Sequence, residues 1–122
     1  MSNENPFGET IYSYSRTQAI EDGVLVDLSQ VDSIHQAWKH HFACTSAVWA
    51  IIEEALKRPG QDLTGICHDI SFMAMIAIRK ADDHEFVLFR VIITGSTHTL
   101  KLHIGPGDTQ EPVLTLMLPN ED

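Results

Sequence analysis

A chain of 122 residues is long enough to bury one hydrophobic core and too short for two ordinary ones. With 43% hydrophobic and 20% charged residues it is too apolar to stay disordered, and no apolar run reaches the roughly 18 residues that suggest a membrane helix. Seventeen Asp and Glu against eight Lys and Arg leave a formal charge of −9, which disfavours direct binding to nucleic acid or an anionic membrane and favours a basic protein surface.

Residues 1–10 are polar, carry Pro6 and Gly8, and read as a flexible arm ahead of one α+β domain over 11–122. Their sequence, "MSNENPFGET", has neither the basic nor the apolar part of a secretion signal, so a cytoplasmic protein is expected. Cys44 and Cys67 then read as reduced core thiols rather than a disulfide. In "YSRTQAIEDGVLVDLS", Ser15 is placed to cap a short helix, Gln18 stands three residues on as its capping-box partner, and Gly23 supplies a left-handed stop before the strand "VLVDL".

"SQVDSIHQAW" predicts a second short helix, capped by Ser29, with Ile34 and Trp38 at helical spacing. "HHFAC" shows no decisive period. Thr45 or Ser46 caps the next helix, "AVWAIIEEALKR", whose Val48, Ile51, Ile52, Ala55 and Leu56 share a face; Lys57 and Arg58 suit its last turn, and Pro59-Gly60 stops it. The run "LTGICHDISFMAMIAIRK" repeats Ile66, Ile70, Met73 and Ile76 to Ala77 at helical steps, and its length predicts a central buried helix ending at Arg79 and Lys80. After the acidic turn "ADDHE" the period becomes strand-like in "FVLFRVIIT", "HTLKLHI" and "VLTLMLP". The expected fold is therefore α+β: an N-terminal short helix and strand, then two longer central helices packed on a C-terminal three-stranded antiparallel meander.

"HIGPGDTQEP", His103 to Pro112, looks at first like a phosphate cradle, but such loops run from a strand into a helix and usually carry Lys with Ser or Thr. Here a strand follows, and Asp108 and Glu111 would repel phosphate, so a hairpin connection is expected. His40, His41, Cys44, Cys67 and His68 are zinc-ligand types, yet adjacent side chains diverge and no CxxC or HxxxH spacing occurs. No metal and no cofactor is expected. Neither a GxSxG elbow nor a Cys–His family signature marks a nucleophile, and the pairs Glu53-Glu54 and Asp82-Asp83 read as solvated charge rather than an acid–base pair. Trp49 falls on an apolar helix face and suits the core, whereas Trp38 suits a core or an interface equally.

The segments "FGETIYSYSRTQAIEDGVLVDLS" and "LKLHIGPGDTQEPVLTLMLPNED", with weaker likeness around "TSAVW" and "LTGICHDISFMAMIAIRK", resemble an uncharacterised family of short bacterial, plasmid and phage proteins, a domain of unknown function. The likeness spans nearly the whole chain. It departs at "HHFACT", where a more proline- and valine-like strand is expected. The resemblance implies residence on mobile elements and brings no catalytic residues.

Together these readings point to a small acidic, non-enzymatic binding protein, an anti-CRISPR-like inhibitor of a host defence complex, directed at a basic surface of a host protein or nucleoprotein. Its candidate contacts are Glu53, Glu54, Asp82, Asp83, Glu85, Asp108, Glu111 and Trp38, with Glu121 and Asp122 at the tail. Two alternatives stand beside it. One is an ADP-ribosyltransferase-like or nucleotide-binding enzyme, since "SRTQAIEDGVL" resembles the opening helix and strand of that fold. The other is a structural homodimer joined through "ISFMAMIAI" or an edge of the meander.

Overall fold

The computed structural model describes residues 15–82 and 85–121. The arm expected over residues 1–10, together with Asp83 and Asp122, lies outside the described residues.

Helix α1 (Arg16–Glu21) starts where the Ser15 hydroxyl accepts the Gln18 N–H at 3.0 Å, and the chain leaves it through Gly23 at φ 79°. Both features follow the sequence signals. Strand β1 (Leu25–Asp27) comes next, then helix α2 (Asp32–Ala37). Ser29 does not cap α2: the cap position is Val31, without a side-chain bond. The Ser29 hydroxyl instead accepts the Phe42 N–H at 2.9 Å and donates to the Phe42 carbonyl at 3.3 Å. The single O–H donor of Ser29 and one of its lone pairs are thereby committed to the neighbouring strand rather than to the helix behind it.

That neighbouring strand, β2 (Phe42–Thr45), changes the expected architecture. It pairs antiparallel with β1 and parallel with the last strand, β5 (Pro112–Met117). Strands β3 (Phe86–Ile93), β4 (Ser96–Pro106) and β5 do run as an antiparallel meander, but they form only part of a five-stranded mixed sheet in the order β1-β2-β5-β4-β3. A free-standing three-stranded meander is thus corrected to a larger sheet. Phe42, Ala43 and Cys44 are all buried, so the alternation that betrays a half-exposed strand is absent from β2.

Helix α3 (Ser46–Leu56) is capped by Thr45, whose hydroxyl accepts the Val48 N–H. Helix α4 (Leu63–Lys80) is capped by Asp62, which accepts the Gly65 N–H at 2.6 Å. Val48, Ile52 and Ala55 of α3 join Ile66, Cys67, Ile70 and Ala74 of α4 over one face of the sheet. There they meet Phe42, Cys44, Val87, Phe89, Val91, Ile93, Leu100, Leu102, Leu114 and Leu116 in a single core. The helix expected to be central and buried is instead a one-sided cover, exposed along the stripe that holds His68, Asp69 and Phe72. On the sheet's other face, residues alternating with this core set include Thr115 of β5 and Lys101 and His103 of β4. Helix α1 lies on that second face, as the bonds of Arg16 show below.

Candidate functional site

Arg16 opens α1 and spends its guanidinium on the sheet beneath it. Its Nη1 donates to Thr115 Oγ1 at 2.6 Å, Nη2 to the Leu114 carbonyl at 2.7 Å, and Nε to His41 Nδ1 at 3.1 Å. Because His41 Nδ1 accepts, the ring proton sits on Nε2, which faces Asp27 Oδ1 at 3.3 Å. Asp27 in turn accepts the Ser29 N–H at 2.8 Å. Burial lowers the basicity of half-buried Arg16, and the charges of Asp27 and Asp108 oppose that effect.

The loop within His103 to Pro112, expected as a hairpin connection, supplies the other half of this assembly. It is a hairpin connection, with Pro106 paired to Pro112 and the Gly107 N–H bonded to the Glu111 carbonyl at 2.8 Å. Asp108 at its tip accepts the backbone N–H groups of Arg16 and Thr17 at 2.8 and 3.1 Å, and the Thr17 hydroxyl at 2.9 Å. These amides are unpaired at the start of any helix, so Ser15 and Asp108 divide the work of capping α1 between them. Asp108 thus stays charged while facing its own chain.

Between α1 and the β4–β5 hairpin runs an open groove of ≈ 650 Å³, lined among others by Arg16, Leu25, His103, Asp108, Thr115 and Glu121. Glu121 in its lining accepts the Thr45 hydroxyl and the Leu118 N–H, each at 2.8 Å, while Lys101 Nζ donates to the Glu121 carbonyl. Volume and mixed lining suit a small molecule or a short peptide segment. All three donor-bearing nitrogens of Arg16 are committed within the fold. The cluster therefore positions the groove wall.

The two segments that carried the family resemblance meet here, Ser15 to Thr17 from the first and Asp108, Leu114 and Thr115 from the second. A model of a family of unknown function, DUF6573, matches residues 1–122. The chain belongs to this family. Neither the curated proteins nor the solved structures contain a match to it.

The expected contact residues fall into separate groups. Glu53 and Glu54 are exposed on α3, Glu54 within 3.2 Å of Lys57. Asp82 and Glu85 flank the start of β3, and Asp108 and Glu111 lie in the β4–β5 loop. Because Phe86 pairs with His103, these last four acids share one end of the sheet. Trp38 is half-buried, its indole N–H bonded to Ser71 Oγ at 3.0 Å and its ring 5.5 Å from that of Phe42. Glu121 is bonded within the groove as described, and Asp83 and Asp122 lie outside the described residues.

Among the described residues no group of three or more His, Cys, Asp or Glu is arranged to hold a metal ion. Cys44 and Cys67 are free and buried, and burial pushes both thiols up to about 12, which leaves them unreactive. No helix among the described residues is long and apolar enough to cross a membrane. Arg16, Asp27 and Thr115 carried no signal in the sequence beyond the family likeness around them, and His41 stood out there only as a zinc-ligand type.

The clamp has a pH signature. Burial disfavours ionisation of Asp27, but the bonds from Ser29 and the neighbouring His41 outweigh it and hold the carboxyl below its ordinary range. Backbone bonds from Arg16 and Thr17, then the Thr17 hydroxyl, hold Asp108 low as well. A carboxyl whose folded value is depressed adds stability above its unfolded value, near ~4, and loses it as pH falls through the folded value. Amide exchange in α1 is therefore expected to accelerate below about pH 4, ahead of the core strands. Asp108→Asn should flatten part of this dependence, and an unchanged profile would exclude the clamp as its origin.

Proposed function

We propose that this protein is a non-enzymatic binding protein whose acidic surface occupies a basic surface on a host protein or nucleoprotein complex. The observation that carries the reading is uncompensated charge: Glu53, Asp82 and Glu111 are exposed and carry no ion pair among the described residues, in a chain of net charge −9. Asp108, held ionised by its bonds to α1, adds to the field at the same sheet end as Asp82, Glu85 and Glu111. Such a surface steers association with a cationic groove, and the steering weakens with salt. The residence on mobile elements that the family resemblance implies makes a host defence complex the leading partner, with action of the anti-CRISPR kind.

The experiment is affinity purification from host cells with quantitative mass spectrometry. The wild-type chain is compared with Glu53→Lys/Glu54→Lys and with Asp82→Lys/Glu111→Lys. At least one pair should lower capture of a specific partner about tenfold, and raised salt should do the same. Capture indifferent to both reversals would remove the basis of the reading. The enzymatic alternative calls for six strands in a split sheet and a cleft lined by His, Tyr and Glu. The described residues build one five-stranded sheet instead.

A further inference from the structure

A sheet with helices on one face ordinarily turns polar side chains to its other face. Half of this sheet does not. In β3, Val87, Phe89, Val91 and Ile93 are buried beneath the helices, and the side chains that alternate with them are Phe86, Leu88, Arg90 and Ile92. Phe86, Leu88 and Ile92 are 45%, 57% and 64% exposed. The register sets His103, Lys101, Thr99 and Thr97 of β4 beside this row. Over β5, the next strand, the same face is closed: Thr115 and Met117, paired with His103 and Lys101, are buried, and Arg16 of α1 bonds to Thr115 and to the Leu114 carbonyl. The open area is therefore two strands wide, roughly 10 Å at ~4.8 Å per strand, and one strand long, roughly 26 Å at ~3.3 Å per residue.

The charge of this area is opposite to that of the whole chain. Between Glu85 and Asp108 the sequence holds no Asp or Glu, in a protein with 17 of them. Arg90 stands in the apolar row and has no ion pair among the described residues. Lys101 Nζ lies 5.5 Å above the Phe86 ring, and its bond to the Glu121 carbonyl leaves its charge uncompensated. The His103 imidazole stands next to Phe86 on the same face.

We propose that this face docks one amphipathic α-helix of a partner protein, apolar along the stripe that meets Phe86, Leu88 and Ile92 and acidic along the flank that meets Arg90 and Lys101. The dimensions select a helix. An α-helix with its side chains is ~10–12 Å across, the width left open beside α1, and 26 Å of it is about 17 residues at ~1.5 Å per residue. The exposed apolar row supplies the burial that drives such a contact, and the cations beside it select the flanking charge.

Two other occupants match the face less well. A nucleic acid strand needs flat aromatic rings on which its bases stack, whereas Leu88 and Ile92 offer branched aliphatic surface. A second copy of this chain, set face to face about a two-fold axis, would bring the same cations together. The acids of the chain act weakly on an arriving carboxylate here. Glu85, at the Phe86 end, is five residues from Arg90 along the strand, roughly 16 Å at ~3.3 Å per residue and beyond the ~8 Å screening length of physiological salt. Asp69 belongs to α4, on the opposite side of the sheet.

The test uses a fluorescein-labelled helical peptide of about 17 residues, with Leu along one stripe and Glu on its flanks, and a twin with Lys in place of each Glu. Fluorescence anisotropy should show the Glu peptide binding the full chain with Kd near about 10 µM, and amide NMR shifts should concentrate in β3 and β4. Leu88→Ser combined with Ile92→Ser, both at exposed side chains, should weaken binding about tenfold, with the fold checked by circular dichroism. Arg90→Glu should weaken the Glu peptide about tenfold and strengthen the Lys peptide relative to the wild type. No binding of the Glu peptide at about 100 µM, or binding unmoved by these variants, would overturn the proposal. So would tighter binding of single-stranded oligothymidine, or a dimer in sedimentation velocity that the double serine variant dissolves. These positions are distinct from those reversed to test the acidic surface, so either proposal can fail alone.

Discussion

Arg16→Ala should lower the stability of the protein by about 3 kcal/mol, or about 10 °C in Tm for a domain of this size. The side chain makes three bonds, to Thr115, Leu114 and His41, and the first two acceptors lie in a strand at the middle of the sheet. Truncation deletes the donors and strands the acceptors. The hydroxyl of buried Thr115 and the carbonyl of buried Leu114 then lose partners that water replaces imperfectly, which costs more than the net worth of the bonds. Arg16→Lys should recover only part of the loss, because an ammonium is a point donor and cannot serve three acceptors spread around a planar fork. The loss is also localised. Helix α1 is six residues long, too short to persist without docking. Native-state hydrogen exchange should therefore show α1 opening independently while Leu100 and Leu116 keep their protection. A Tm within about 2 °C of wild type, with α1 still protected, would mean that the clamp is not what holds the groove wall.

The route by which this cluster escapes a reading of the sequence is instructive. Arg16 meets His41 across 25 positions and Thr115 across 99. No local period or spacing links residues that far apart, because their contact depends on which strands are neighbours. What local chemistry can specify did appear: the caps at Ser15 and Thr45 and the left-handed glycine at position 23 lie where hydroxyl side chains and a missing Cβ atom serve orphan backbone groups. The same logic misplaced Ser29, since a hydroxyl three residues before α2 is also within reach of Phe42, and tertiary pairing took it. Asp108 was read as an outward-facing acid for the same reason. Nothing adjacent in sequence shows the start of α1 arriving above the hairpin tip.

Strand β2 is where the sequence was least legible and where the structure is expected to be least tolerant. Phe42→Ala should cost about 4 kcal/mol, at the upper end for a core truncation. The ring is fully buried and packs against Trp38. Its strand sits between β1 and β5 and makes the only parallel pairing among the described residues, so a cavity there cannot be closed by an edge folding inward. The backbone compounds the effect: the Phe42 carbonyl accepts from Leu28 and Ser29, and its N–H donates to Ser29, which ties the β1–α2 turn to the same residue. Phe42→Leu, which keeps most of the volume, should cost about 1.5 kcal/mol. Urea titration followed by tryptophan fluorescence reads both, because the Trp38 indole loses its aromatic neighbour in the first variant and retains an apolar one in the second. Equal losses in the two variants would show that shape around Phe42 does not govern the join between the N-terminal strands and the meander. The larger loss for alanine would show that a segment without a visible period is the keystone of the sheet, buried on both faces and silent for that reason.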